Sequence, residues 1–338
     1  MRSRTVATWT LVAAGILLWG GGCLTRKEGL TVHEDGSITV VHEISGDAGD
    51  LNGGAAQLPL REPFAVRRFV REKSDGKKEH CAIAEATYRS AAAMPQTFAG
   101  DNAPYREASL HFTNHLSITE HDDGVHYVFV RRYIGRDWGR YAFDRKRAFP
   151  EHVEKLLDQG PIEKLQPDEQ RTVLAAFADY ERRKLHIWLE RALDEVGNDD
   201  NRWRVLLQAG AAIDQFHKEQ LVVDRLVTLL ELPSNELEKQ ADSLMQSWLQ
   251  RAKNTATAGL SSMAARERFE ERFALYRHDF EVSEDLRDEN FELRVQMPGT
   301  VVHSNGVTTG STTQWQFSGQ ELCLGDRVLV VESVVAKP

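Results

Sequence analysis

The chain has 338 residues, 41% of them hydrophobic and 28% charged, which is enough for about two domains with buried cores. This composition excludes wholesale disorder, collagen-like repeats and a polytopic membrane protein, and three cysteines exclude a disulfide-dense scaffold or a Cys-rich zinc module. The formal net charge of −9 argues against a nucleic-acid partner, because nucleic-acid-binding domains are usually basic.

The first 22 residues have the pattern of an export signal. Arg2 and Arg4 precede an apolar run over residues 6–19, and small residues follow. The apolar run is shorter than the ~20 residues of a membrane-spanning helix. A cleaved signal over residues 1–22 is therefore favoured over a permanent anchor helix.

The glycines that precede Cys23 resemble the lipobox of bacterial lipoproteins. This resemblance implies that the Cys23 thiol receives a diacylglycerol and becomes the mature N-terminus, which would anchor the protein in the cell envelope. Because Leu24 and not Asp follows the cysteine, the resemblance implies the outer membrane where a cell has two membranes. The alternative is an ordinary signal without a lipid.

Residues 23–149 are predicted to form an N-terminal β-rich part. Two strands over residues 30–42 meet at Asp35-Gly36, a dipeptide typical of tight hairpin turns. The segment 46–57 is rich in Gly, Asp and Asn, which predicts a loop.

A second hairpin is predicted from strands over residues 109–120 and 125–133. Pairing Thr119 with His126 places apolar side chains on one face and polar side chains on the other. The apolar face then holds Leu110, Phe112, Leu116, Ile118, Tyr127, Phe129 and Tyr133.

Residues 150–289 are predicted to form an acidic helical segment. Residues 148–292 hold 19 Lys and Arg against 30 Asp and Glu, whereas residues 61–147 hold 16 against 12. Apolar residues recur at helical spacing in four stretches, separated by Gly, Asn, Ser and Thr. The predicted helices cover 167–196, 201–232, 235–252 and 263–280.

Strands return over residues 290–338. Val, Thr, Phe and Trp predict strands at 291–297, 313–317, 321–324 and 327–335. The order of strands, helices and strands predicts an α+β fold. In it, one mixed or antiparallel sheet combines the N- and C-terminal strands, and the helical segment is a long insertion.

The C-terminal pattern resembles bacterial envelope lipoproteins of the LppM type. A Pro-Gly turn after Met297, an Asn-Gly turn at Asn305 and a strand bearing Trp315 carry the resemblance, together with the Asp35-Gly-Ser hairpin. It covers about a quarter of the chain. The resemblance implies an α+β envelope domain, with lipid-like molecules as the ligands it would handle, and it implies no catalytic residues.

The histidines do not predict a metal site. His111 and His115 share a strand face, but four residues of strand span ~13 Å, which is too far for one zinc ion. The sequence has no Gly-x-Ser-x-Gly elbow, phosphate-binding loop, dinucleotide fingerprint or Cys-x-x-Cys. We therefore expect no enzyme, no cofactor and no catalytic residue.

Cys81 and Cys323 remain once Cys23 is assigned to the lipid. An exported compartment permits a disulfide between them, which would tie the two β regions together. Two buried thiols are the equal alternative, because Cys packs as a small hydrophobic residue.

A run of cations and aromatic residues follows the second hairpin. Such residues suit a membrane interface or anionic headgroups. The candidate contacts are Arg131, Arg132, Arg136, Trp138, Arg140 and Tyr141. The favoured interpretation is simpler: a strand end leads into a helix that packs its aromatic rings and leaves its charges in solvent.

The leading functional hypothesis is a membrane-anchored envelope lipoprotein that acts as a non-enzymatic binding or structural component, with an envelope protein as one possible partner. The alternative is a carrier or sensor of a lipid-like ligand between sheet and helices, which predicts a cavity. An envelope hydrolase, the third hypothesis, predicts that His111, His115 and Arg132 converge in a cleft. A partner-binding module predicts an exposed apolar stripe on a helix, for which 229–232 is the candidate.

Overall fold

The computed structural model describes residues 24–46, 48–53, 58–72, 76, 78–101, 103, 105–196, 201–287 and 289–337. The described chain divides into two compact units. The sheet unit comprises residues 24–138 and 282–337, and the helical unit comprises residues 139–281. The predicted signal over residues 1–22 and the predicted lipidation site Cys23 lie outside the described residues.

Eleven strands are described in the sheet unit. They are β1 (Thr25–Val32), β2 (Ile38–Gly46), β3 (Ala65–Glu72), β4 (Lys78–Tyr88), β5 (Phe112–His121), β6 (Gly124–Tyr133), β7 (Asn290–Gln296), β8 (Thr300–Ser304), β9 (Val307–Thr309), β10 (Thr312–Ser318) and β11 (Arg327–Ala336). Short helices α1 (Ala48–Gly53) and α9 (Gly319–Leu322) and the 3-10 turns Ala91–Ala93 and Arg106–Ala108 connect some of them.

The strands form two sheets, each of which combines N- and C-terminal strands. The seven-stranded sheet has the order β3-β4-β2-β1-β7-β10-β9, and the four-stranded sheet has the order β5-β6-β11-β8. In the larger sheet β1 pairs antiparallel with β2 and parallel with β7. The predicted α+β fold is thereby confirmed.

The prediction of a single sheet is wrong, because the chain changes sheets at Asn305-Gly306. Strand β8 pairs with β11 of the smaller sheet, and β9 pairs with β10 of the larger one. The Asn305 side chain holds this crossing. Its Oδ1 accepts hydrogen bonds from Trp315 Nε1 at 2.8 Å and from the Val330 backbone N–H at 2.9 Å, and its Nδ2 donates to the Val328 carbonyl at 2.8 Å.

Both predicted hairpins are confirmed. Strands β1 and β2 meet at Asp35-Gly36, where Gly36 has a φ of 82° that favours glycine. Strands β5 and β6 pair with Thr119 opposite His126, the predicted register. The predicted loop over 46–57 instead contains α1, and the predicted strand over 321–324 is wrong, because Glu321 completes a capping box that begins α9.

The core of the sheet unit lies between the inner faces of the two sheets. Tyr133 of β6 contacts Phe291 and Phe317 of the larger sheet, with ring centroids 6.2 Å and 5.4 Å apart. Leu30 and Phe129 are fully buried in the same cluster. Period-two alternation along each strand supplies this face, because successive side chains point to opposite sides of a sheet.

The helical unit contains α2 (Gly139–Ala148), α3 (Glu151–Leu157), α4 (Pro167–Asp194), α5 (Arg202–Gln220), α6 (Val223–Leu230), α7 (Ser234–Gly259) and most of α8 (Met263–Arg287), with a 3-10 turn at Ile162–Lys164. Helix α4 begins with Pro167 after a capping box between Gln166 and Glu169. The stretch 201–232, predicted as one helix, forms α5 and α6 with a break at Leu221–Val222.

Candidate functional site

Three of the six candidate headgroup contacts are buried. Arg131, Trp138 and Tyr141 are 1%, 5% and 1% exposed. Arg131 points inward because it lies two residues from both Phe129 and Tyr133. Residues at this spacing share one face of a strand, here the core face of β6. Burial of these side chains leaves them no surface to offer to a lipid headgroup, so their assignment as headgroup contacts is corrected.

Arg136 is half-buried and is held by the protein itself. Its guanidinium donates to the carbonyls of Ala108 and Ser109 at 2.8 Å and 2.9 Å, and to Ser283 Oγ at 2.9 Å. These contacts fix the chain that follows β6.

Arg132 and Arg140 keep exposed guanidinium groups, but each forms an ion pair with a neighbouring acid. Arg132 pairs with Asp326, and Arg140 pairs with Glu190. The Gly135 backbone N–H and the Arg132 guanidinium both donate to Asp326 and hold the pKa of this carboxyl below its ordinary value.

A buried ionic cluster lies in the core of the sheet unit. Glu28 of β1 and Arg131 of β6 form an ion pair between the two sheets, and both side chains are less than a tenth exposed. Arg131 Nε also donates to Asn114 Oδ1 at 2.7 Å, and Tyr133 Oη donates to Glu28 at 3.3 Å. Burial opposes ionisation of Glu28, but several opposing effects, of which the charge of Arg131 is the largest and hydrogen bonds from Arg131 and Tyr133 are others, together lower the pKa of the carboxyl.

His42 of β2 lies beside this pair. Its Nε2 is 3.7 Å from Glu28 Oε1, and its ring packs edge-on against Phe64 and Phe98, with centroids 5.4 Å and 4.9 Å away. Burial lowers the pKa of His42 to about 4, and the charge of Arg131 adds to this effect against the opposing charge of Glu28. His42 is therefore neutral at pH 7.

A second buried ion pair joins Arg26 of β1 to Glu289, the residue before β7. Arg26 Nη2 donates to Glu289 Oε1 at 3.0 Å, and the Arg26 guanidinium lies 5.5 Å from the Phe291 ring centroid. The two buried pairs together carry no net charge. One pair joins the two sheets, and the other joins β1 to the residue before β7.

The cavity beside this cluster is small. Its volume is about 20 Å³, which is roughly the room that one water molecule needs. Its walls include Arg26, Glu28, His42, Phe98 and Tyr133. A drug-sized or lipid-like ligand needs several hundred Å³, so this cavity does not accommodate one.

Strand β3 is the longest of the strands that are exposed along their whole length, since all eight of its residues are exposed. It lies at one edge of the seven-stranded sheet and pairs with β4. Its sequence, Ala65–Glu72, contains three arginines that lie among apolar residues. Val70 is 53% exposed, and the Arg67 and Arg71 guanidinium groups lie 5.9 Å and 6.0 Å from the Phe69 ring centroid.

The exposed strand and the start of the fold lie at the same end of the sheet. Thr25, the first residue of β1, is paired with Ser45, Ser45 with Cys81, and Cys81 with Phe69. These four residues form one cross-strand row. Because neighbouring strands are about 4.8 Å apart, roughly 14 Å separate Thr25 from Phe69.

The sequence analysis predicted neither the buried ionic cluster nor the exposed strand β3, for different reasons. Arg26 and Glu28 lie at a spacing of two residues from Leu30 on β1, and this spacing was the signal that their charged side chains point inward. On β3, the pair Arg67-Arg68 interrupts the apolar alternation that identifies a half-buried strand.

The histidines that the sequence analysis considered as metal ligands or hydrolase residues lie outside the buried ionic cluster. His111 Nε2 is 3.1 Å from the Arg106 carbonyl oxygen, and His115 is exposed on β5. Across the part of the chain that the structure describes, no three His, Cys, Asp or Glu side chains gather as metal ligands.

Cys81 and Cys323 are both buried and are not joined by a disulfide. Cys81 lies on β4, while Cys323 follows α9 and not a strand. Burial raises the pKa of the Cys81 thiol. Of the two alternatives that the sequence left open, the structure has the buried thiols.

In the helical unit the proposed apolar stripe over 229–232 belongs largely to the core. Leu229 is buried, and Leu230 and Leu232 are half-buried. Trp203 and Leu207, one turn apart on α5, are instead 59% and 75% exposed.

The same unit contains a buried Lys184–Glu181 pair on α4, with Nζ to Oε1 at 2.5 Å. The Lys184 ammonium lies 4.6 Å from the Phe280 ring centroid. None of the helices that the structure describes combines the length and apolar composition of a membrane span.

Comparison with known proteins gives little further information. No family model matches the chain, and no curated protein matches it. A search of solved structures found the folded domain of the LppM protein from Mycobacterium tuberculosis, with 10% sequence identity, a TM-score of 0.29 and coverage of 94% of both chains. A similarity at this level is too weak to support an inference about function.

Proposed function

We propose that the protein is a lipid-anchored component of a bacterial cell envelope, and that its sheet unit is a non-enzymatic binding module held directly at the membrane surface. The observation that carries this proposal is the start of the fold. Leu24 is 5% exposed, and β1 begins at Thr25, two residues after the predicted lipidation site Cys23.

Leu24 is fixed in the sheet unit by two kinds of contact. Its side chain packs in an apolar cluster with Ile44, Leu51 and Ala82, and its carbonyl oxygen accepts a hydrogen bond from the Asn290 backbone N–H at 3.2 Å. A diacylglycerol on Cys23 would thus hold this end of the sheet close to the headgroups, without a flexible tether.

Two observations in the sheet unit support a binding module there in preference to a lipid carrier or a hydrolase. The cavity of about 20 Å³ beside His42 has no room for a lipid-like carrier ligand. His115 and Arg132 lie on a strand face exposed to solvent, and Arg132 is engaged by Asp326. Within this proposal, Leu24 after the cysteine favours the outer membrane in a cell that has two.

Metabolic labelling tests the anchor. The full chain is expressed in a bacterium with an alkyne analogue of palmitate, and the N-terminal peptide of the membrane-extracted protein is identified by mass spectrometry. We expect the label on a mature chain that begins at Cys23.

The matched controls are the two other cysteines. Cys23→Ser is expected to lose the label and the membrane association, whereas Cys81→Ser and Cys323→Ser are expected to retain both. An unlabelled mature protein, or a label that survives Cys23→Ser, would contradict the proposal.

A further inference from the structure

We infer that the hairpin of β3 and β4 is a second membrane contact, which binds anionic lipid headgroups on the surface that holds the lipid anchor. This inference rests on the proposed function for the source of that surface. Its physical basis is the charge, the exposure and the position of residues 65–72, 78 and 79, named here the edge hairpin.

The charge of the edge hairpin suits an anionic surface. Residues 65–72, 78 and 79 hold four Lys and Arg against two Asp and Glu, in a chain whose net charge is −9. Arg67, Arg68 and Arg71 all lie on the fully exposed β3. Arg71 Nη2 pairs with Glu43 Oε1 at 2.8 Å, an exposed ion pair that headgroup phosphates can replace at little cost.

Apolar side chains lie between these cations. Val66, Phe69 and Val70 are 37%, 37% and 53% exposed on both faces of the strand. Cations that alternate with aromatic and aliphatic groups match the headgroup region, where the phosphates are anionic and the acyl boundary is apolar. A soluble edge strand needs the charges but gains nothing from the exposed apolar groups.

The position of the edge hairpin, at the same end of the sheet as the start of β1, is the argument for a membrane as its partner. Phe69 shares a cross-strand row with Thr25, and from that row β3 continues through Arg71 toward the end of the sheet at which β1 begins. An anchor on Cys23 would therefore bring this end of β3 to the surface. Two contacts about 14 Å apart would fix the orientation of the sheet unit as well as its distance from the membrane.

The test uses residues 24–338, without the anchor, so its failure does not depend on acylation of Cys23. Every described contact of both units lies within residues 24–337, so this chain retains the described fold. Binding is measured by sedimentation with vesicles of phosphatidylcholine alone and with phosphatidylglycerol added. We expect binding only to the anionic vesicles, weakening as salt is raised from about 0.1 to 0.5 M.

The variant Arg67→Glu/Arg68→Glu is expected to weaken partitioning at least about tenfold, because each basic group near an anionic surface strengthens binding several-fold. The neutral variant Arg67→Gln/Arg68→Gln is expected to lose less. The control Arg147→Glu/Arg204→Glu makes the same change of net charge at exposed arginines of the helical unit and is expected to bind like the wild type.

Circular dichroism and the urea midpoint verify that the variants fold, which the exposure of β3 favours. Absence of binding to anionic vesicles, equal binding to neutral vesicles, or equal loss in the control variant would each overturn the inference. Full palmitate labelling of Cys23 together with any of these results would leave the anchor intact and remove only the edge hairpin from the account.

Discussion

Thr25 of β1 and Phe69 of β3 lie in one cross-strand row of the seven-stranded sheet, three strands apart. The row connects the first residue of β1 with an exposed strand at the edge of the sheet. The start of β1 and the exposed arginines of β3 therefore lie at the same end of one sheet. The order of the strands brings these two segments, which are remote in sequence, to one end of the sheet.

Removal of Glu28 is expected to destabilise the sheet unit strongly. Glu28→Leu leaves the buried Arg131 guanidinium without its counter-charge, which costs about 3–5 kcal/mol of unfolding free energy. Urea unfolding measures the loss. Glu43→Gln, which removes an exposed partner of Arg71, is the control and should cost less than about 1 kcal/mol.

The double variant Glu28→Leu/Arg131→Met distinguishes pairing from packing. If the pair is compensated, this variant is expected to recover most of the stability that Glu28→Leu loses. A double variant no more stable than the single one would contradict the ion-pair explanation.

His42 is expected to make the protein acid-sensitive. Its pKa is 6.5 in the unfolded chain and about 4 when buried, so between these values the unfolded state takes up a proton that the folded state does not. The free energy of unfolding therefore falls as the pH falls from 6.5 to 4, by about 3 kcal/mol in total. In His42→Phe this part of the pH dependence is expected to disappear, and an unchanged slope in that variant would refute the assignment.

Asn305 is expected to stabilise the crossing between the two sheets. Asn305→Ala leaves the Trp315 indole N–H and the Val330 backbone N–H without their acceptor. The expected cost is about 2–3 kcal/mol, at roughly 1 kcal/mol for each of three hydrogen bonds. Thermal unfolding measures it, with Ser304→Ala as a neighbour expected to lose less; equal losses in the two variants would argue against the role.

Cys81 and Cys323 are expected to be thiols in the exported protein. The mass of the denatured, unreduced chain should be that of two thiols, and both should react with iodoacetamide only after unfolding, because both are buried. A mass lower by two hydrogens would show that they are bonded.

Local patterns predicted the parts of the fold that local physics determines. Alternation and turn residues gave both hairpins, including Thr119 opposite His126, and helical spacing with Pro167 located the start of α4. The division into two sheets was not predictable in this way. It depends on which distant strands the short strands β8 and β9 pair with. The contacts of Asn305 at this crossing exist only in the folded chain.

The candidate site shows the same limit. Arg131 shares one face of β6 with core residues, which predicts that it points inward. A buried arginine is favourable only beside a counter-charge, however. That counter-charge is Glu28, which is 103 positions away in the sequence. The exposure of β3 likewise follows from its place at the edge of the sheet. Strand order is a property of the whole unit, and it cannot be read from eight residues.

The most direct test of the account places a spin label on the membrane-bound, full-length protein. Val70→Cys labels the edge hairpin, and Val307→Cys labels an exposed residue on β9 at the opposite edge of the sheet. We predict that an aqueous nickel chelate relaxes the label at position 307 strongly and the label at position 70 weakly, because headgroups cover position 70. Equal accessibility of the two labels would contradict a sheet unit that binds the membrane through its anchored end.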